Sequence, residues 1–497
     1  MISGNGAIWR FGAPFGLGVI AALGQAPYDL PLLMLAAMVL VIRLFATRGT
    51  PWQAALLGWL FGAGYFIHAL RWIVSPFLVD VERHGWMAPF ALVLLGAGMA
   101  LFWGLAFWAA RRLSPRGWGL ILCWPAVELL RAYIFTGFPW ALPSQALVDV
   151  MAGQALAWVG PYGLTLWLVA LAVLLGMRAH GRKALVATQI VAGLAGAALL
   201  LLPVQAPPAP LGERVIRLVQ PNAAQRDKWA PEMIPVFFRR QLDFTAAAPE
   251  RGGAPDLVIW SETAIPWPLD LAEPALTQIA TAARGTPVML GVQRRGATRF
   301  YNSLVVLDGE GAVAQSYDKH HLVPFGEYVP FGDLLGQFGI HGLAAQAGNG
   351  YSSGPGAMLL DLRGIGPALP LICYEAVFAH DVNAAPTRPA LLIQLTNDAW
   401  FGKNAGPLQH LAQARMRAIE QGLPLARAAN TGVSAMIDPQ GRIRAMLPLN
   451  EAGFLDARLP LPGAPTLYSR SGDLPLALLL LAGLGVAALR ARRRFGD

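Results

Sequence analysis

The sequence predicts a multi-pass α-helical membrane domain joined to one α/β domain, and three observations carry that reading. Hydrophobic residues make up 55% of the 497-residue chain and charged residues only 13%, a balance outside the range of ordinary soluble proteins. Seven long apolar runs precede Pro203 and an eighth lies near the end. Between them, short β-rich runs alternate with helical ones.

The apolar runs cover 11–27, 30–46, 53–72, 88–110, 118–135, 157–177 and 184–203, then 474–490. Each approaches the ~20 residues a helix needs to cross a bilayer. The first is rich in glycine and broken by Pro14, with no small-residue cleavage pattern leading into a polar segment. It is expected to be a retained helix and not a removed signal peptide.

Basic residues follow the even-numbered runs: Arg43 and Arg48, then Arg111, Arg112 and Arg116, then Arg178, Arg182 and Lys183, and finally Arg490, Arg492, Arg493 and Arg494. The loops at Asp29 and from Thr136 to Gln154 carry neither Lys nor Arg, and the loop after the third run mixes Arg71 and Arg83 with Asp80 and Glu82. Because cytoplasmic loops retain Lys and Arg, both termini are expected in the cytoplasm and the polar domain on the opposite side. The net charge of +9 is then topological. No basic stripe interleaved with aromatics marks the polar domain, so no nucleic-acid partner is expected.

Within the polar segment, Arg214–Gln220, Asp256–Trp260, Pro287–Gln293, Ser303–Leu307, Ala368–Cys373 and Ala390–Thr396 read as strands. Ile234–Ala246, Leu271–Ala283 and Leu408–Gln421 read as helices, and Asp438–Gly441 as a turn between two late strands. Strands of this apolar kind are buried under helices. Pro203–Pro210 and Pro460–Pro465 read as linkers to the membrane part.

Only two cysteines exist, Cys123 in the fifth apolar run and Cys373 in the polar domain. Two cysteines build no disulfide framework, and a bond between these two is not expected. Cys373 ends a strand and Glu262 directly follows one, the positions where loops assemble sites. Lys319 opens the irregular stretch from His320 to Pro330. A carboxylate can deprotonate a thiol, and an ammonium group can stabilise the oxyanion formed when the thiolate attacks a carbonyl. These residue types point to thiol acyl transfer, with the acceptor left open. Water makes the protein a membrane-tethered amidase and an amine makes it a transferase, while a non-catalytic scaffold with a degenerate domain is a third class.

Four phrases narrow this: SETAIPWP around Glu262, YDKHHLVPFGEYVPF around Lys319, ICYEAVF around Cys373 and TNDAWFG around Asp398. In this order they resemble the carbon–nitrogen hydrolase (nitrilase) superfamily and, within it, the apolipoprotein N-acyltransferase family. The resemblance spans essentially the whole chain. It implies an α/β/β/α sandwich and a ping-pong reaction, with Glu262 as base, Lys319 stabilising the oxyanion and Cys373 as nucleophile. It further implies supporting roles for Glu327, Tyr374 and Glu375 and a substrate-gating role for Trp229. The implied donor is a phospholipid such as phosphatidylethanolamine, the acceptor a diacylglyceryl apolipoprotein, and the location the bacterial inner membrane with a periplasmic catalytic domain.

On this reading residues 1–203 form a seven-helix membrane domain, 204–212 a linker, 213–462 the catalytic domain, 463–473 a second linker, 474–490 the last membrane helix and 491–497 a cytoplasmic tail. No cofactor is expected. No metal is expected either, since His320 and His321 have no zinc-ligand spacing.

Trp260, Trp267, Phe325, Phe331, Leu334, Leu335, Trp400 and Phe401 are expected near a dry acyl pocket, with Phe331–Leu343 as a lid or a buried arm. Glu128 and Arg131 lie three apart on one helical face, placed to pair, to bind lipid or to reach the headgroups. His410, Arg415 and Arg417 are expected to support the site.

Overall fold

The computed structural model describes residues 11–114, 117–177, 183–250, 253–297, 299–329 and 350–495. The chain divides into two units, Met1–Ala206 with Thr466–Asp497, and Pro207–Pro465.

In the first unit all eight apolar runs contain helices: Ala13–Ala22, Pro31–Phe45, Pro51–Ala69, Ala88–Leu113, Leu120–Tyr133, Leu156–Gly176, Lys183–Leu201 and Leu474–Phe495. Among the described residues, four helices are long and apolar enough to cross a membrane, or five if Pro51–Ala69 and Arg71–Leu78, bent by 46°, form one span. Ala13–Ala22, Pro31–Phe45 and Leu120–Tyr133 have 10, 15 and 14 residues, short of the ~20 required. In the last case the apolar run continues, but the chain turns back at Phe135, whose φ is +58°.

That reversal supplies partners for a buried charge. Arg131 pairs with Glu128 and donates to the carbonyls of Phe138 and, at 2.9 Å, Trp140. Trp103 Nε1 donates to Glu128 Oε1 at 2.5 Å. Both charged side chains are buried and satisfied within the unit, so neither extends to headgroups. Apolar side chains such as Val191, Leu194, Leu479 and Leu481 are exposed, which suits helices facing lipid.

The second unit holds two six-stranded sheets. The first has the order β12–β1–β2–β3–β4–β5, from Leu211–Gln220 (β1), Leu257–Ile259 (β2), Val288–Arg295 (β3), Phe300–Leu307 (β4), Val313–Asp318 (β5) and Gly453–Pro460 (β12). The second has the order β11–β10–β9–β8–β7–β6, from Leu360–Leu362 (β6), Gly366–Ile372 (β7), Leu391–Thr396 (β8), Leu425–Ala429 (β9), Ser434–Ile437 (β10) and Ile443–Leu447 (β11). The triplets β1–β2–β3 and β7–β8–β9 are parallel, and the outer pairings are antiparallel.

Helices Ile234–Ala246 and Glu273–Ala283 cover the first sheet, where Phe238, Leu242 and Ile279 pack with Val258, Leu290 and Val305. Helix Ala405–Gln421 covers the second, placing Leu411, Ala414 and Ala418 against Leu371, Leu392 and Ile437. The sheets meet through β1 with β9 and β10, and β4 with β7. The layers thus run α/β/β/α. Across the first sheet Arg217 stands opposite Asp456 in register and binds its carboxylate in two bonds of 2.7 Å.

Candidate active site

Glu262 leaves β2 on a turn in which Thr263 has φ +44°. The turn crosses β3 at Gly291, whose amide donates to Ser261 O at 3.2 Å and whose carbonyl accepts from Ala264 N at 2.8 Å. A Cβ at position 291 would stand 2.4 Å from Thr263 N and 2.7 Å from Glu262 Cα. Glycine is what lets the backbone bearing the carboxylate approach so closely.

Both oxygens of Glu262 are engaged: Oε1 accepts from Asn302 Nδ2 at 2.7 Å and Oε2 from the Asn397 amide at 2.8 Å. Asn302, on β4, gives its other amide hydrogen to Glu327 Oε1 at 2.9 Å. Lys319 Nζ lies 2.8 Å and 3.0 Å from the two oxygens of Glu327 and 3.9 Å from Glu262 Oε1. One ammonium and one amide therefore hold two carboxylates together. Burial raises the pKa of the Glu262 carboxyl, and the charge of Glu327 adds to this against the pull of Lys319. Burial would lower the Lys319 ammonium, but Glu327, Cys373 and Glu262 together raise it, so the group stays charged.

Cys373 directly follows β7 with φ +51° and begins the turn Cys373–Val377. A non-glycine residue in this region is strained by about 1–3 kcal/mol, and its neighbours hold it there. Cys373 O accepts from Gln394 Nε2 at 3.1 Å. The same amide lies 3.0 Å from His410 Nε2, and His410 Nδ1 lies 2.9 Å from Asp398 Oδ1. Burial and then Arg427 lower the pKa of His410, whose Nε2 also lies 3.0 Å from Cys373 O. Arg427 closes the network on Gln394 Oε1 and, at 2.5 Å, Asp398 Oδ2. Burial lifts the thiol of Cys373 well above its ordinary range, the charge of Glu262 adds to it, and Lys319 and a hydrogen bond with Thr396 oppose it. The resting group is a neutral thiol that needs a base.

Glu375 ties the nucleophile turn to the lysine loop. Its Oε2 accepts from Ile372 N at 2.6 Å, and its Oε1 accepts from Tyr317 Oη at 2.6 Å and His320 N at 2.8 Å. Tyr374 is a buried packing element, edge-on to Phe378 with ring centroids 4.9 Å apart. Trp229 lies apart from this group, in a concavity it lines with Lys228, Phe237, Gln241 and Ser261.

Lys228 was not anticipated from the sequence. It is buried, its Nζ donates to Glu262 O at 3.3 Å and sits 4.8 Å above the Trp229 ring, and burial pulls its pKa down to about 8 against the charge of Glu262.

Asn302 and Gln394 were also missed. The signal available was a polar residue set in an apolar strand, as in FYNSLVVL and LLIQLT. His410 belongs to the site network, and Arg417 donates to Val377 O at 2.9 Å beneath the nucleophile turn, whereas Arg415 binds Gly441 O at 2.7 Å. Trp260 belongs to the core of the first sheet, Phe325 is exposed, and Phe401 packs edge-on against His410. Phe331, Leu334, Leu335 and the lid segment Phe331–Leu343 lie outside the described residues.

Residues 216–465 match the carbon–nitrogen hydrolase family, and residues 17–174 match the apolipoprotein N-acyltransferase N-terminal domain. An apolipoprotein N-acyltransferase of Rhodopseudomonas palustris is 38% identical, covering 96% of this chain and 94% of its own. One of Bradyrhizobium diazoefficiens is 39% identical, covering 96% of this chain and 93% of its own. The chain belongs to the apolipoprotein N-acyltransferase family.

As a member of the apolipoprotein N-acyltransferase family, it is a membrane acyltransferase with a nitrilase-like domain. A solved amidase from Nesterenkonia sp. is similar over 55% of this chain and 97% of its own, at 20% identity and a TM-score of 0.39.

Proposed function

We propose that Cys373 carries an acyl chain from a phospholipid to the α-amine of a diacylglyceryl-modified N-terminal cysteine, with Glu262 moving the protons and Lys319 stabilising the oxyanions. The observation supporting this is a buried neutral thiol placed under the charges of Glu262 and Lys319 in a chain with membrane-length apolar helices.

In the first half-reaction the Glu262 carboxylate takes the thiol proton as sulfur attacks the donor ester carbonyl. The ammonium of Lys319 offsets the charge developing on the carbonyl oxygen. Collapse expels the lysophospholipid alkoxide, which leaves with the proton held by Glu262, and a thioester remains on Cys373. In the second half-reaction the acceptor amine attacks that thioester, Glu262 receives the amine proton, and collapse returns it to the departing sulfur. The product is an amide, more stable than either the ester or the thioester, so no other energy source is required. Glu327 and Asn302 act as positioning residues for the lysine and the base, and Glu375 for the loop that carries the lysine.

Both substrates are lipid-anchored, which fits a bacterial inner membrane with the catalytic unit in the periplasm. Phosphatidylethanolamine is the donor this reading favours, and it gives Trp229 a substrate-gating role, supported by the concavity Trp229 lines with Lys228 and Ser261. The test is to incubate purified protein with phospholipid vesicles and a diacylated lipopeptide bearing a free α-amine. A gain of one acyl mass on the lipopeptide, lost when its amine is acetylated, is expected. Release of fatty acid with no lipopeptide product would make the enzyme a hydrolase.

A further inference from the structure

Spacing along the chain offers no zinc pattern, yet folding gathers a donor set from two separate segments. His321 lies on the loop that carries Lys319, and His380 and Asp381 lie on the short helix Ala379–Asn383 that follows the nucleophile turn. One donor atom from each of the three residues falls within 4.8 Å of the others. His321 Nδ1 is 2.7 Å from Asp381 Oδ2, and His380 Nε2 is 3.5 Å from Asp381 Oδ1.

A tetrahedral ion with ligands at about 2.0–2.2 Å spaces neighbouring donors roughly 3.3–3.5 Å apart. The His380 separation has that value and the His321 separation is about 0.7 Å shorter, but they run to different oxygens of Asp381, so the carboxylate turns to give the ion a single oxygen. The His321 ring is held flat against Phe378, with centroids 3.6 Å apart and planes at 17°. Its plane is therefore set before any ion binds. Asp381 is largely buried, while the two imidazoles are half-buried, which leaves an approach from solvent on the histidine side. The neighbouring His320 is held by its Nδ1, 2.8 Å from Glu375 Oε1.

We propose that His321, His380 and Asp381 bind a divalent transition-metal ion of the zinc class, with the fourth position open. Two imidazoles and one carboxylate suit Zn2+ and its neighbours, whereas Mg2+ and Ca2+ select all-oxygen sites. The ion clamps the lysine loop to the segment after Cys373, reinforcing the tie made by Glu375. It takes no part in the bonds made or broken in acyl transfer, and its binding does not depend on that reading.

The experiment uses the full chain purified in detergent, carrying Cys373→Ala so that the thiol cannot capture the ion, and stripped of metal with a chelator. Zn2+ is titrated by calorimetry, and Co2+ is added as an absorption probe of tetrahedral ligation. Saturable binding of a single ion is expected, with a visible Co2+ spectrum and a thermal midpoint raised by Zn2+. His380→Ala and Asp381→Asn are each expected to weaken the affinity at least ~10-fold. No saturable binding to the parent chain overturns the proposal, and so does binding that both variants retain undiminished.

Discussion

Gln394 donates an amide hydrogen to the carbonyl oxygen of Cys373 at 3.1 Å, from the middle of a fully buried strand. The bond clamps a residue whose φ of +51° is unfavourable for a side chain with a Cβ. The other contacts of the same amide carry the clamp to His410, Arg427 and Asp398. Asp398 is held at about 2, because Arg427 and His410 outweigh its burial, so this anchor stays charged at any working pH. Gln394→Leu is expected to lower stability by about 1–3 kcal/mol through the lost bonds to Cys373 O and to Arg427 Nη1, and to slow acyl transfer roughly 10-fold or more by misplacing the nucleophile. Calorimetric melting and initial rates measure the two effects, and an unchanged rate contradicts the clamp.

Asn302 lowers the pKa of the Glu262 carboxyl by donating to its anion, while burial raises it. The base works ionised, so activity falls as pH drops through its pKa. Asn302→Ala removes the donor, raises that pKa further and moves the acidic limb of the rate profile to higher pH. A pH profile of kcat/KM with an unmoved limb would show that the amide does not tune the base.

Lys228 is a buried cation whose pKa falls from 10.5 to about 8, a shift worth roughly 3 kcal/mol. Folding lowers this pKa, so between about pH 8 and 10.5 the unfolded chain holds the extra proton and stability climbs with pH. Below that window both states are protonated and the cost of burying the charge is fully present. Lys228→Met is thus expected to melt at a higher temperature at pH 7. It is also expected to be less active in acid, because the cation beside Glu262 favours the carboxylate. Lys228→Arg keeps the charge and should keep the acidic limb. A destabilised methionine variant would contradict this account.

Gly291→Ala places a methyl 2.4 Å from Thr263 N, a clash with backbone that a rotamer change cannot relieve. The expected cost is about 1–3 kcal/mol of stability, together with displacement of Glu262. Thiol alkylation of Cys373 and melting temperature report on the two, and wild-type values for both would show that the turn has room.

The legible parts of this fold were those in which one physical signal dominated. β7 and β8 are mainly apolar and largely buried, so their presence and the emergence of Cys373 could be read directly. β5 and β12 lie at a sheet edge, with several half-exposed or exposed positions. Their mixed composition hid them. In the membrane unit the apolar run 118–135 extends past the helix Leu120–Tyr133 into a reversal at Phe135. Hydropathy reports environment and not helix length. The residue types of Glu262, Lys319 and Cys373 suggested their chemistry, but Asn302, Gln394 and Lys228 depend on partners far away in sequence. Only folding creates those pairs.

The most direct test of the proposed chemistry is intact-mass spectrometry of the purified protein after incubation with phospholipid alone. The account predicts an added acyl mass that is absent from Cys373→Ala, maps to Cys373 and is lost on treatment with hydroxylamine. An acyl adduct that persists in Cys373→Ala, or no adduct under conditions where the lipopeptide is acylated, would contradict a thioester on this cysteine.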